Sequence, residues 1–182
     1  TAFIRPYFSS DGFRYAVCIL APSRRLAAQH TAIGGLILFR QKRPTSRIEA
    51  YVDLEAAPFD SRFHAIHIHE YGERFESCES TGPHFNPYNR KHPLHVGDLS
   101  NVYLKSNTTI LFYPNVKGTF FGSNSLYGRS VVVSENEDDK GNGSNKLSEL
   151  DGNSGRSLSC CTIAVADNFL WLNVVEKLRF PG

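Results

Sequence analysis

Methionine is absent from the 182 residues and tryptophan occurs once. No apolar run approaches the roughly 20 residues that cross a bilayer, so no membrane partner is expected. No signal peptide is visible; the start at Thr1 and the lack of methionine suit a processed, mature, secreted product. Charge of one sign is scarce as well. Lys and Arg number 20 against 18 Asp and Glu, a formal +2, so nothing demands an acidic polymer and no nucleic-acid partner is expected. The short basic clusters Arg24-Arg25 and Arg40-Gln41-Lys42-Arg43 read as solvated loop ends. There is no internal repeat and no sustained helical period.

What is present is a set of short apolar runs separated by Gly, Pro, Asn and Ser. RYAVCILAP, GGLILFRQK, SRIEAYVDLEA and FHAIHIHE read as strands, as do SNVYLKS, TTILFYPN, GRSVVVS and SCCTIAVAD. With 41% hydrophobic content the chain can bury one core. We expect a single all-β domain over 1–182, a Greek-key β-barrel or sandwich, with extensions at 1–12 and 168–182. Two long polar segments interrupt the strands, Gly72 to Leu99 and Glu135 to Arg156. A connection of that length is at odds with a compact domain unless it carries function.

The first of these segments holds the chemistry. Six of the seven histidines fall between His64 and His95. On a strand, His67 and His69 leave the same face and His64 the opposite one. His84, His92, His95 and Asp98 follow in the loop, and three neutral imidazoles with one carboxylate suit a tetrahedral zinc shell. A second metal could sit beside the first, on His67 and His69.

HIHEYG, the following Cys78, GPHFNP and HVGDLSN resemble the copper/zinc superoxide dismutases in order, with further matches at GRSVVV, ENEDDKGNG and DGNSGRSLSC. The resemblance implies that family's Greek-key barrel with two long functional loops. It makes His67, His69 and His84 copper ligands, with His84 bridging to a zinc held by His92, His95 and Asp98. Asp138 matches the carboxylate that ties a copper histidine to a zinc histidine, and His64 a structural histidine behind the copper site. Cys78 and Cys160 match the family's intrasubunit disulfide. Cys160 and Cys161 are adjacent on a strand and point to opposite faces. A second bridge from Cys18 to Cys161 would use every thiol, as the oxidising compartment of a secreted protein favours; the alternative is two buried free thiols.

Two departures stand out. Ser134 occupies the position of the family's fourth copper histidine, and a neutral hydroxyl is a poor copper ligand. Ser157 occupies the position of the substrate-guiding arginine, with Arg156 one place earlier. The pattern therefore implies zinc as cofactor and copper weak or absent, with no fully competent catalytic set. Such losses are similar in kind to those of the bivalve haemolymph proteins of the cavortin and pernin group, whose suggested roles are metal carriage and defence. The alternative is a copper/zinc superoxide dismutase of reduced activity. The dismutase-like domain of the family's copper chaperone is disfavoured, since there is neither a Cys-x-Cys tail nor a heavy-metal domain.

The tail NFLWLNVVEKLRFPG is longer than a minimal family member requires, and Asn168 is placed to cap a short helix. Its apolar residues Phe169, Leu170, Leu172, Val175, Leu178 and Phe180 must pack on their own barrel or on another subunit, and a homo-oligomer is expected. Asn107 and Asn142 begin N-x-S/T sequons.

Overall fold

The computed structural model describes residues 9–56, 61–105 and 107–179. Its strands are β1 (Arg14–Pro22), β2 (Ile33–Gln41), β3 (Ile48–Ala56), β4 (Phe63–His69), β5 (Asp98–Tyr103), β6 (Asn107–Val116), β7 (Ser130–Ser134), β8 (Ser157–Thr162) and β9 (Ala164–Ala166). All pairings are antiparallel, in the order β5-β4-β7-β8-β1-β2-β3-β6. This is the expected all-β Greek-key barrel, nearly closed, with β5 and β6 as the two edges that are not laddered to each other.

Alternation along each strand builds the core. On β1, Ala16, Cys18 and Leu20 point inward, where they join Ile37, Phe39, Val52, Ile66 and Val133. The last expected strand is broken at Ile163. β8 pairs with β7 and with the end of β1, whereas β9 pairs with the start of β1, so the chain shifts along β1 between the two. Cys161 faces inward and bonds Cys18, with Cα atoms 5.3 Å apart. Cys160 faces outward and bonds Cys78 at 5.6 Å, beside Val132. No free cysteine remains among the described residues.

Several expectations need correction. Within the second long segment, Asn145 accepts a hydrogen bond from Ser148 N–H and starts a helix, α1 (Lys146–Asp151). Its polar composition concealed a six-residue helix with little to bury. Arg40 and Gln41 are not solvated loop ends. Arg40 pairs with Glu49 and Glu176, and Gln41 is 1% exposed, its amide oxygen accepting from Phe120 N–H.

In the tail, the turn Trp171–Glu176 winds as a π-helix and passes into α2 (Lys177–Arg179). Asn168 C=O accepts from Leu172 N–H at the start of the turn, but the Asn168 side chain does not cap it and turns its amide toward Asp11, while Asp167 accepts from Phe169 N–H just before it. Trp171 and Val175, both 1% exposed, cover Tyr15, Leu38 and Tyr51 on the outer face of the barrel. The segment packs on its own barrel and leaves Phe169, Leu172 and Leu178 exposed. Residues 1–8 of the N-terminal extension, Phe180 and the Asn107 side chain lie outside the described residues.

Candidate metal centre

The end of β4 and the loop that follows it are laced together by backbone bonds. Phe85 N–H donates to Ile68 C=O at 2.8 Å, Ile68 N–H to Gly97 C=O at 2.9 Å, and Gly97 N–H to Phe85 C=O at 2.9 Å. His84 is thereby bridged to His69, and Asp98 opens β5 instead of lying in the loop. Only glycine fits at 97, because a Cβ there would sit 2.2 Å from Ile68 C=O.

Two groups of possible ligands result, sharing His84: His84, His92, His95 and Asp98, and then His67, His69 and His84. All of these residues are buried. In the first group the Nδ1 atoms of His84, His95 and His92 lie 2.8, 3.1 and 3.3 Å from one oxygen, Asp98 Oδ1. A tetrahedral zinc shell with bonds near 2.0–2.1 Å has ligand-to-ligand edges of about 3.3 Å. The donor set fits zinc in both chemistry and spacing. The second Asp98 oxygen accepts from His95 N–H at 2.8 Å, which fixes the carboxylate.

Asp138 joins the groups. Its Oδ2 lies 2.9 Å from His67 Nε2 and its Oδ1 2.9 Å from His92 Nε2. If each Nε2 carries the proton and donates it to Asp138, each Nδ1 is left with a lone pair. His69 Nδ1 likewise donates to Gly82 C=O at 2.7 Å, freeing Nε2. The nitrogens so freed, His67 Nδ1, His69 Nε2 and His92 Nδ1, are buried and have no hydrogen-bond partner. Leaving such atoms unpaired costs roughly 1–3 kcal/mol each, unless something else takes the lone pairs. A metal ion would do so.

Electrostatics point the same way. Burial, with His84 alongside, pushes the His69 imidazolium down to about 3. Burial also lowers His84 and His95. These rings are kept neutral, as ligation requires. Burial pushes Asp98 and Asp138 upward, but the bond from His84 in the first case and from His67 in the second outweighs it. Asp98 ends well below the ordinary carboxylate range, and Asp138 at about 2.

Asn101, which stands in HVGDLSN, was not singled out from the sequence. It accepts from Asp138 N–H at 2.8 Å and donates to Asp138 C=O at 2.9 Å, so it sets where the bridging carboxylate sits. Gly152 was missed too. It has φ +70°, and a Cβ there would meet Asp138 Oδ1 at 1.8 Å.

His64 points into the barrel wall, 0% exposed, with Nδ1 2.8 Å from Ser134 C=O. Ser134 itself is 2% exposed. By alternation it shares a face with Val132, the ladder partner of His67. Ser157 is buried, and its N–H donates to Glu79 at 3.0 Å. Arg156 is exposed and lines a cleft with Arg25 and Glu79. Asn142 is exposed in the second loop, with its amide donating to Asp139 C=O.

Residues 33–163 match the family model described as copper/zinc superoxide dismutase (SODC). The extracellular superoxide dismutase (Cu-Zn) of Rattus norvegicus is 41% identical over 167 residues, which is 91% of this chain and 68% of the relative. Its Homo sapiens counterpart is 39% identical over 163 residues, 88% of this chain and 68% of the relative. No helix among the described residues is long and apolar enough to cross a membrane.

Proposed function

The chain belongs to the copper/zinc superoxide dismutase family, and from that premise we propose a secreted zinc-binding member with an incomplete copper site. Its work is metal binding or carriage, or a haemolymph or defence role, and not efficient dismutation. The observation that carries this reading is the pairing of a four-ligand group at His84, His92, His95 and Asp98 with a three-imidazole group whose fourth family position is Ser134. The kinship with the bivalve cavortin and pernin group rests on the same pattern of losses.

Zinc would be held by His84, His92, His95 and Asp98, and would tie the long loop to the barrel. Bound copper would supply one-electron chemistry. His67, His69 and His84 would hold it with three neutral imidazoles, while Asp138 and Gly82 fix the rings of His67 and His69. Ser134 offers no lone pair comparable to imidazole, and Ser157 no charge to draw in an anion.

Elemental analysis of the native protein tests the reading. About one zinc and well under one copper per chain is expected from the ligand count. A second reading, a dismutase of reduced activity, is favoured by the unpartnered lone pairs of His67 and His69. Stoichiometric copper with fast superoxide decay would put it first.

Secretion is supported by the extracellular relatives and by two disulfides that use all four cysteines. Glycosylation at Asn107 and Asn142, and assembly into a homo-oligomer through the exposed Phe169, Leu172 and Leu178, complete the proposal. Mass measurement of the native protein, before and after deglycosylation, checks both.

A further inference from the structure

The barrel is not laddered between β5 and β6, and each edge carries a bulge at the same end. Across β4 and β5, Ile66 pairs with Ser100 and His67 with Asp98, so Leu99 is an extra residue. Across β3 and β6, Ala50 pairs with Tyr113 and Ile48 with Val116, so one residue more stands on β6 around Pro114 and Asn115. Pro114 has no N–H to offer a ladder, and a bulge bends its strand. Between the two bulges lies a cavity of about 180 Å³, lined by Leu99, Tyr113 and the side chains Phe39, Ala50, Val52 and Ile66. The last four are at most 2% exposed, so the cavity enters the barrel interior and is not a surface dent. Lys117 lines its mouth and, together with Lys140, an adjoining cleft. Both lysines are exposed, and neither forms an ion pair with the described residues. The carboxylates on that side, Asp98 and Asp138, are already held by histidines.

We propose that this seam is a binding site for a small aromatic carboxylate, its ring between the bulged ends of β5 and β6 and its carboxylate at Lys117 and Lys140. An apolar cavity of about 150 Å³ accepts benzene, so the seam holds a single ring. Small-molecule sites commonly join such an apolar body to a few polar groups at the rim. Asp98 also lines the cavity, so the site abuts the candidate zinc group, while the unpartnered histidine nitrogens belong to residues outside its lining.

Ligand-observed NMR and calorimetry with 3-phenylpropanoate, 3-phenylpropan-1-ol and acetate test it on the intact protein. Saturable binding is expected for the first two and none for acetate. An exposed charge pair contributes up to about 1 kcal/mol, so the carboxylate should bind roughly three- to fivefold tighter than the alcohol. Lys117→Ala should reduce that difference, Lys117→Ala with Lys140→Ala should remove it, and both should leave the alcohol unchanged. Ala50→Leu should abolish binding of both by filling the interior. Leu99→Trp, at the half-buried mouth, should do the same if Ala50→Leu does not fold. Failure of either aromatic probe to bind, or binding that survives a folded plugged variant, overturns the proposal. A carboxylate no tighter than the alcohol, or unaffected by Lys117→Ala, overturns the assignment of its head to the lysines.

Discussion

Ser134 and Ser157 are ladder partners across β7 and β8, and a bulge at Leu158 separates them from the next pair, Val133 and Ser159. The two positions at which the proposed reading places departures from the family pattern are therefore adjacent in space. On the proposed reading, a single wall lacks both an imidazole and a guanidinium. The hydroxyls that replace them are small, and Ser157 N–H is tied to Glu79. Reversing the losses one at a time separates their roles.

On the proposed reading, Ser134→His would add a fourth imidazole to the group of His67, His69 and His84 without touching His92, His95 or Asp98. Copper affinity should rise clearly, because imidazole is a far better ligand than a hydroxyl. Superoxide decay followed by pulse radiolysis should speed up only partly. Adding Ser157→Arg should raise the rate further and make it fall more steeply with salt, as electrostatic guidance of an anion requires. A copper-loaded wild type already near the diffusion limit would show that Ser134 costs nothing.

Asp138→Asn tests the link between the two groups. The carboxylate accepts from His67 and His92 at once. An amide has one acceptor oxygen and presents an NH2 group to the other ring, which must then turn or lose its bond. Zinc affinity by chelator competition should fall on the order of 10–100-fold, the usual cost of removing such a support. The disulfides and strand order should be untouched. An unchanged affinity would mean that Asp98 and the loop ladder alone orient the imidazoles.

The metal-free protein should weaken steadily on acidification. In the unfolded chain His69 takes a proton near its ordinary 6.5, but in the fold only near 3. The unfolded state therefore binds more protons between those values. Stability is fully present above 6.5 and is lost at up to about 1.4 kcal/mol per pH unit below it from this one group. His84 and His95, also lowered, act with the same sign. Asp138, lowered from 3.8 to about 2, adds its loss below 3.8. Urea midpoints measured from pH 8 to pH 4 after zinc removal check this. A flat profile between pH 7 and pH 5 would show that the imidazoles are solvated when metal is absent.

The barrel was legible because alternation is a local property. β1 falls on RYAVCILAP, and the inward and outward cysteines follow from their parity. His84, His92, His95 and Asp98 were legible for a similar reason: uncommon residue types gather in one stretch. Elsewhere the sequence misleads because the deciding contact is distant. Arg40 looks like part of a basic turn, and Glu49 across the sheet together with the returning Glu176 and Trp171 bury it. Asn101 looks like a polar strand residue, and only the approach of Asp138 gives it a role. α1 has few apolar residues to announce it, and its start is set by one capping asparagine.

Trp171 makes the tail part of the barrel. Its ring lies 6.3 Å from Tyr15 and 6.4 Å from Phe112, with the Arg40 guanidinium 4.6 Å from its centroid. Its Nε1–H donates to Glu176, which also pairs with Arg40. Trp171→Ala should therefore cost roughly 3–5 kcal/mol, the range for removing a large buried aromatic. It should also raise amide exchange along the outer faces of β1 to β3. Phe169→Ala and Leu172→Ala, on the exposed side of the same turn, should stay within about 0.5 kcal/mol if that side meets only solvent. If they cost several times more, and the cost varies with protein concentration, that face is covered by a second subunit. Calorimetry of the three variants at two concentrations decides the matter, because a subunit contact makes the melting temperature concentration-dependent and intramolecular packing does not.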